Sequence, residues 1–207
     1  MDKLKPFCKP DILEAGVDEV GRGCLAGPVV AAAVILPNDF DFEIVKDSKQ
    51  LSEKKRIEAV KIIRENALYW SVYSVNSKRV DEINILQATY EAMHGALNKM
   101  ETCSNIKVEH ILVDGDKFNG YKGIPHICVV KGDATYYSIA AASILAKVTR
   151  DEYMKYLSSN APVYDWANNK GYGSKKHRAA IVEHGVTEYH RMSFLGNILP
   201  KNTNNLF

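Results

Sequence analysis

At 207 residues the chain is long enough for one domain with a full hydrophobic core, and its hydrophobic fraction of 46% and charged fraction of 25% are average for soluble globular proteins. No apolar run approaches the length of a membrane span, and the N-terminal segment MDKLKPFCKP lacks the apolar core of a secretory signal, so we expect a cytoplasmic protein. The four scattered cysteines form no C-x-x-C pair, which argues against a zinc site, and the net charge of +2 does not by itself indicate nucleic-acid binding.

Five short apolar runs predict β-strands, and helical patterns fill the intervals between them. The strands are predicted near residues 12–18, 28–36, 68–75, 110–114 and 126–130. This alternation of strands and helices predicts an α/β fold. We expect residues 1–9 and 196–207 to be loose tails.

Capping residues and apolar spacing predict four main helices. Ser52 can cap a helix that runs to about Asn66, and further helices are predicted over 138–157 and about 174–183, the last ending at Gly185. The clearest helix covers residues 81–100, where an apolar stripe predicts contact with the core. That stripe contains Ile83, Leu86, Tyr90, Met93, Leu97 and Met100, and the predicted apolar side of the first helix contains Ile57, Val60 and Ile63.

Apolar strands flank the segment VDEVGRGCLAGP, in which the adjacent acids Asp18 and Glu19 precede a turn containing Gly21, Gly23 and Gly27. Adjacent carboxylates repel each other, and glycines cost backbone entropy on folding. We therefore infer that this turn serves a function that needs negative charge and close approach to the backbone.

Acids follow apolar strands at three places in the chain. Asp18 and Glu19 end the first predicted strand, Asp114 ends the run HILVD, and Asp133 follows HICVVKG. If these strands are neighbours, the four carboxylates meet at one sheet edge and cannot all stay ionised without compensation. Oxygen ligands favour Mg²⁺ or Mn²⁺, and two such ions can support phosphodiester cleavage. A lone Asp is more often a turn residue or a cap, and Asp133 could cap the helix that follows it.

Two basic runs, KDSKQLSEKKR over 46–56 and NNKGYGSKKHR over 168–178, contain most of the local positive charge near these acids. Each run taken singly is more often a solvated surface. Two such runs beside an acidic site would suit the binding of phosphates.

Five sequence blocks together resemble bacterial ribonuclease HII, the type 2 ribonuclease H. The blocks are GVDEVGRGCLAGPV, DSKQLSEKKR, LVDGD, VVKGDATYYSIAAASILAKVTRDEYM and NKGYGSKKHRAAIVEHG. They follow the expected order from about Glu14 to Phe194. The resemblance implies a single ribonuclease H-like catalytic domain over 1–207, with a central mixed five-stranded sheet flanked by helices and a C-terminal helical portion.

The resemblance also implies the reaction. Members of this family are metal-dependent endonucleases that cleave the RNA strand of RNA/DNA hybrids and cut 5′ of single ribonucleotides in duplex DNA, leaving a 3′-hydroxyl and a 5′-phosphate. We expect the cofactor to be two Mg²⁺ or Mn²⁺ ions, with Asp18 bridging them. The family's catalytic, metal-binding tetrad corresponds to Asp18, Glu19, Asp114 and Asp133. We interpret Asp151, the nearest competitor, as a helix-surface acid.

Further positions match the family's substrate contacts. The turn Gly21-Arg22-Gly23 is expected to approach the ribonucleotide 2′-hydroxyl through its backbone, and Tyr172 to stack on the sugar of the following deoxynucleotide. Ser48 and Lys49 are expected to contact phosphates. Lone histidines are more often packing or hydrogen-bonding residues, and we assign no role in the reaction to His177, His184 and His190.

We expect the chain to act as a monomer without an obligate protein partner, because it lacks the additional segments of the type 3 and eukaryotic type 2 enzymes. Its C-terminal segment contains no clear sliding-clamp motif, and Leu206 and Phe207 are too little to define one. Two alternatives remain at this stage. One is a structure-selective two-metal nuclease of the same fold, and the other is a non-catalytic nucleic-acid-binding module.

Overall fold

A five-stranded mixed sheet forms the centre of the computed structural model, which describes residues 4–41, 43–45 and 51–199. The strand order is β3-β2-β1-β4-β5, with β1–β2 and β2–β3 antiparallel and β1–β4 and β4–β5 parallel. The five strands predicted from the sequence are confirmed, as is the mixed sheet. The strands are β1 (Glu14–Val20), β2 (Val29–Ile35), β3 (Tyr69–Val75), β4 (His110–Asp114) and β5 (His126–Val129).

Five helices accompany the sheet in the described part of the chain. Ser52 caps the first by accepting a hydrogen bond from the Lys55 amide, as predicted. Ser174, near the predicted start of the last helix, caps that helix by accepting a hydrogen bond from the His177 amide. The helices are α1 (Glu53–Asn66), α2 (Ser77–Ser104), α3 (Tyr137–Asn160), α4 (Trp166–Asn169) and α5 (Lys175–His184). The last two form the predicted C-terminal helical portion. None of the helices described is long and apolar enough to cross a bilayer.

The sheet is covered on both faces, so β2 (VVAAAVI) is buried along its whole length. Helices α1 and α3 pack on one face, and α2 packs on the other. The start of α3 lies directly against β1, because a Cβ atom added to Gly16 would stand 2.3 Å from the carbonyl carbon of Ser138. A third apolar cluster, around Trp166, joins α4 and α5 to the C-terminal half of α3.

Helix α2 differs from the predicted continuous helix over 81–100. It begins earlier and is interrupted at Asn84, whose φ of 66° and ψ of 164° are not helical. The Asn84 side chain accepts hydrogen bonds from the amides of Leu86 and Gln87, and so caps the second part of the helix. Leu86, two residues after the break, is exposed rather than part of the core, and so is Ile57 of α1.

Parts of both expected tails are packed against the fold. Leu4 is buried, and Lys5 pairs with the start of α3, donating its amide to the Thr135 carbonyl at 2.8 Å and accepting from the Tyr137 amide at 3.0 Å. Ile198 and Leu199 pack on the cluster around Trp166. Residues 1–3 and 200–207 lie outside the described residues.

Candidate active site

Asp18 and Asp114 are brought together by the parallel pairing of β1 with β4. The register joins Val17 to Val113, so the following residue on each strand, Asp18 and Asp114, lies at the same edge of the sheet. Strand β1 continues to Val20, two residues beyond its predicted end, and therefore Asp18 lies within the strand rather than after it. The predicted meeting of the two strand acids is confirmed.

Asp18 is held in an unfavourable environment for a negative charge. Its side chain is buried, and burial together with the charges of Glu19 and Asp114 raises its pKa well above the usual range. Hydrogen bonds from the Ser143 hydroxyl and from the Glu19 amide, at 2.7 Å, act in the opposite direction. The folded chain therefore disfavours the ionised carboxylate, a condition that a bound cation would relieve.

Glu19 faces away from Asp18, because neighbouring residues of a strand point to opposite faces. Its Oε1 accepts a hydrogen bond from Arg22 at 3.3 Å. Burial raises the pKa of Glu19, Arg22 lowers it, and the Asp114 charge raises it again. Glu19 thus belongs to the same electrostatic cluster as the other two acids, although it reaches the cluster from the other face of the sheet.

Asp133 is brought near Asp114 because Gly132, the residue before Asp133, is hydrogen-bonded to Asp114. The Gly132 amide donates to Oδ1 of Asp114 at 2.7 Å, and Gly132–Ala134 form a short 3₁₀ turn in which Asp133 is buried. Helix α3 is capped by Tyr136 without a side-chain hydrogen bond. The alternative interpretation of Asp133 as a helix cap is therefore wrong.

These carboxylates offer only oxygen donors, which suit Mg²⁺ and Mn²⁺. Over residues 4–41, 43–45 and 51–199, no three His, Cys, Asp or Glu side chains are grouped so that they could hold a metal ion as they stand. Asp151 is not the surface acid expected from the sequence, since it is buried and bonded to Lys147 at 2.7 Å.

The fold requires glycine at one of the two positions in the turn after β1 but not at the other. Gly21 has a φ of +93°, and a Cβ atom there would stand 2.3 Å from Nε of Arg150, so the fold itself requires glycine. Gly23 has no positive φ, and a Cβ atom would meet no neighbouring atom within 4 Å. The packing of the folded chain therefore does not require glycine at position 23. Arg22 stands between them with its side chain half exposed.

Two buried arginines, which the sequence interpretation missed, hold this turn in place. Arg150 donates to the carbonyls of Pro28, Ala26 and Lys170 at 2.7–3.1 Å, and Arg191 donates to those of Gly27 and Arg22 at 2.8–3.1 Å. Both guanidinium groups are fully buried, and burial lowers the pKa of Arg191 to about 10. A sequence signal existed for Arg150, because it continues the buried stripe of α3. That stripe contains Ile139, Ala142, Ala146, Arg150, Met154 and Leu157.

Tyr172 lies beside the glycine turn, as its expected role requires. The amides of Leu25 and Ala26 donate to the Gly171 carbonyl at 2.8 and 3.3 Å, which joins the two loops. Burial and the neighbouring Cys24 thiol raise the pKa of Tyr172, whereas 44% of the residue's surface is exposed. The Tyr172 ring thus lies beside Cys24 but is accessible from outside.

The histidines have structural contacts, in agreement with the sequence interpretation. His177 and His190 are buried and contact each other, whereas His184 is exposed beside Glu183. Ser48 and Lys49, the expected phosphate contacts, lie outside the described residues. In the second basic run, Lys176 forms an ion pair with Asp165 at 3.1 Å.

The sequence is similar to that of known ribonucleases. A model of the ribonuclease HII family matches residues 15–196. The chain belongs to the ribonuclease HII family. It is 55% identical over 191 residues to ribonuclease HII of Bacteroides thetaiotaomicron, covering 92% of this chain and 94% of that protein. It is 52% identical over 198 residues to the ribonuclease HII of Parabacteroides distasonis, covering 96% of each.

Solved structures of the ribonuclease H superfamily share this fold. A ribonuclease H2 from Pyrococcus horikoshii is 27% identical with a TM-score of 0.69, covering 87% of this chain and 92% of that one. A ribonuclease HII from Archaeoglobus fulgidus, described in complex with PCNA, is 25% identical with a TM-score of 0.70, covering 93% and 100%. A Bst ribonuclease HIII in complex with Mn²⁺ is 21% identical with a TM-score of 0.66, covering 87% and 66%. The family and the fold together identify the chain as a ribonuclease H enzyme.

Proposed function

We propose that this ribonuclease HII cleaves the RNA strand of RNA/DNA hybrids and cuts 5′ of single ribonucleotides in duplex DNA, leaving a 3′-hydroxyl and a 5′-phosphate. The observation that carries this proposal is the bare backbone at Gly23, beside the acids of β1. Since the packing of the chain does not require glycine there, the missing side chain serves the approach of a ligand. A ribose 2′-hydroxyl, which distinguishes RNA from DNA, is a ligand that backbone groups can recognise.

The acidic cluster is the proposed metal centre. Asp18, Glu19, Asp114 and Asp133 would hold two divalent ions, with Asp18, whose pKa is raised by burial and by its acidic neighbours, between them. When bound, such ions activate water and stabilise the leaving 3′-oxygen of a phosphodiester. The oxygen donors support Mg²⁺ or Mn²⁺, and the Mn²⁺ complex of a protein with the same fold supports the use of a divalent ion.

The chain's own residues would orient the substrate. The Gly21-Arg22-Gly23 turn, whose Arg22 carbonyl accepts from Arg191 and whose Gly21 packs against Arg150, would present its backbone to the ribonucleotide. The accessible ring of Tyr172 would stack on the neighbouring sugar. Ser48 and Lys49 would contact phosphates of the duplex, which position it without reading its sequence.

The test uses a labelled DNA duplex with one ribonucleotide, Mg²⁺ or Mn²⁺, and an all-DNA duplex as the control. The wild-type protein should make one cut 5′ of the ribonucleotide, whereas Asp114→Asn and Asp133→Asn should bind the duplex without cutting it. Unchanged turnover in a folded Asp114→Asn protein would contradict the metal-site assignment. Faster cutting of an all-DNA junction would favour a structure-selective nuclease, and chelator-resistant binding without any cutting would favour a binding module.

The proposed partners are the nucleic-acid substrates alone, with the chain acting as a monomer in the cytoplasm. PCNA is a partner of the Archaeoglobus relative by that structure's description. Leu206 and Phe207, which are too little to define a clamp-binding motif, lie outside the described residues. Light scattering of the purified chain, alone and with a labelled duplex, tests the monomer.

A further inference from the structure

Behind the exposed ring of Tyr172 lies a buried network of two histidines and a tryptophan. Nδ1 of His177 is 2.9 Å from the Tyr172 carbonyl oxygen, and Nε2 of His177 is 3.0 Å from Nε1 of Trp166 and 3.2 Å from Nε2 of His190. On its other side, Nδ1 of His190 is 3.0 Å from the Thr187 amide nitrogen. His177 is fully buried and His190 almost so.

These partners determine where the protons of both rings lie. A carbonyl oxygen only accepts, so Nδ1 of His177 carries a proton and donates it to Tyr172. An indole N–H only donates, so Nε2 of His177 is the accepting nitrogen. The Thr187 amide donates to Nδ1 of His190, which leaves the proton of His190 on Nε2, directed at His177. Both rings are therefore neutral, in agreement with burial, which lowers the pKa of both histidines.

The network connects the Tyr172 loop to the turn after β1. His190 pairs with Ala26 in an isolated β-bridge, and the next residue, Arg191, donates to the carbonyls of Gly27 and Arg22. Tyr172 is therefore held by His177 at its carbonyl, with Cys24 beside its side chain, and its ring is left accessible.

We propose that His177 is a positioning residue for substrate recognition, because its Nδ1–H fixes the Tyr172 backbone and so aims the ring at the sugar. This inference rests on the proposed function and adds a residue to which the sequence assigned no role in the reaction. His177 itself touches no substrate. Trp166 and His190 set its tautomer, which makes the hydrogen bond to Tyr172 directional rather than a general packing contact.

Two variants separate the positioning role from packing. The amide of His177→Asn reaches the place of Nδ1 and can still donate to the Tyr172 carbonyl, but it loses the contacts to Trp166 and His190. The amide of His177→Gln reaches the place of Nε2, keeps those contacts and loses the bond to Tyr172. We expect kcat/KM on the ribonucleotide duplex to fall about tenfold in His177→Gln and less than about threefold in His177→Asn.

A double-mutant cycle with Tyr172→Ala provides the decisive readout. In the Tyr172→Ala background, His177→Gln should cause no further loss, because the residue on which it acts is already gone. The exposed His184→Gln change on the same helix is the matched control and should leave activity unchanged. Equal losses in the two His177 variants, or a loss that persists without Tyr172, would overturn the proposal.

The cleavage assay also separates failure of the positioning role from failure of the proposed reaction. If the wild-type protein cuts and Tyr172→Ala cuts equally fast, the positioning role fails while the proposed reaction stands. If the wild-type protein cuts nothing, the proposed reaction fails, and the role of Tyr172 fails with it. Nitrogen NMR of the wild-type protein tests the geometry even where a variant does not fold: we expect His177 to be protonated at Nδ1, and a proton on Nε2 would overturn the inference.

Discussion

Asp18 and Asp114 lie side by side on neighbouring parallel strands and face the same helix, α3, because the register pairs the residues before them. The Gly132 amide fixes Oδ1 of Asp114, and the Ser143 hydroxyl bonds to Asp18. Two like charges are thus held close together in a buried place. This arrangement is costly for the folded chain without a cation, and a bound cation would relieve that cost.

Replacing Asp18 with Asn should make the metal-free protein more stable. The Asn side chain keeps an acceptor for Ser143 and for the Glu19 amide but removes the charge that burial, Glu19 and Asp114 disfavour. We expect the unfolding free energy in a chelator to rise by about 1–2 kcal/mol at pH 7, while cleavage is lost. Urea unfolding with the exposed Asp39→Asn as control measures this, and a less stable Asp18→Asn protein would contradict it.

Alanine at the two glycines of the turn should have separable effects. Gly23→Ala enters open space, so we expect an unchanged melting temperature and a loss of about tenfold or more in cleavage. Gly21→Ala combines a positive φ with a clash against Arg150, and should lower the unfolding free energy by more than about 1 kcal/mol as well. Calorimetry and cleavage assays on both variants test this. Wild-type cutting by Gly23→Ala would remove the main support for ribose recognition.

Arg191→Lys should destabilise the protein although it keeps the charge. A lysine ammonium cannot reach the Gly27 and Arg22 carbonyls in the geometry of the guanidinium group, so buried acceptors lose their donors. We expect a loss of about 2–4 kcal/mol in urea unfolding, accompanied by loss of cleavage. The exposed Arg64→Lys is the matched control. Equal stability of Arg191→Lys and wild type would show that the turn does not depend on these bonds.

Acid should weaken the fold through the histidine pair. Burial and the neighbouring His177 lower the pKa of His190 from 6.5 to about 4. Between these values the unfolded chain binds more protons than the folded one, so the contribution of His190 is complete above pH 6.5 and is lost as the pH falls towards 4. The loss should be on the order of 2 kcal/mol.

Asp18 and Glu19 have raised pKa values, so their contributions to stability change with pH in the opposite direction to that of His190. Comparison with His190→Asn, which keeps both acids, isolates the effect of His190. Asn keeps an acceptor for the Thr187 amide but does not titrate. Urea unfolding from pH 7 to 4.5 should show the stability advantage of the wild-type protein shrinking as the pH falls. A constant difference across that range would contradict the assignment.

The sequence was sufficient for those parts of the fold that depend on local chemistry. The run VVAAAVI predicts a buried strand, and serine before a helical pattern predicts the cap at Ser52. Two apolar runs that end in acids predict that Asp18 and Asp114 lie together if the two strands are neighbours, and β1 and β4 do pair in parallel.

The remaining features depend on tertiary contacts that local patterns do not encode. Asn84 breaks α2 because its side chain caps the following turn, although the apolar spacing on either side continues. Arg150 continues the buried stripe of α3, but its charge argues against a core position, and the three backbone carbonyls that make its burial possible come from segments distant in the sequence. The histidine network likewise joins segments whose contact no spacing rule predicts.

The accessibility of the Cys24 thiol reports on the loops that cover it. Its thiol is fully buried beneath Tyr172, and burial raises its pKa although Arg150 and Arg191 lie nearby. A thiol in this state reacts with alkylating reagents only when the surrounding loops separate. Its labelling rate, compared with that of the exposed Cys8 and Cys103, therefore measures how often the turn after β1 and the Tyr172 loop separate in solution.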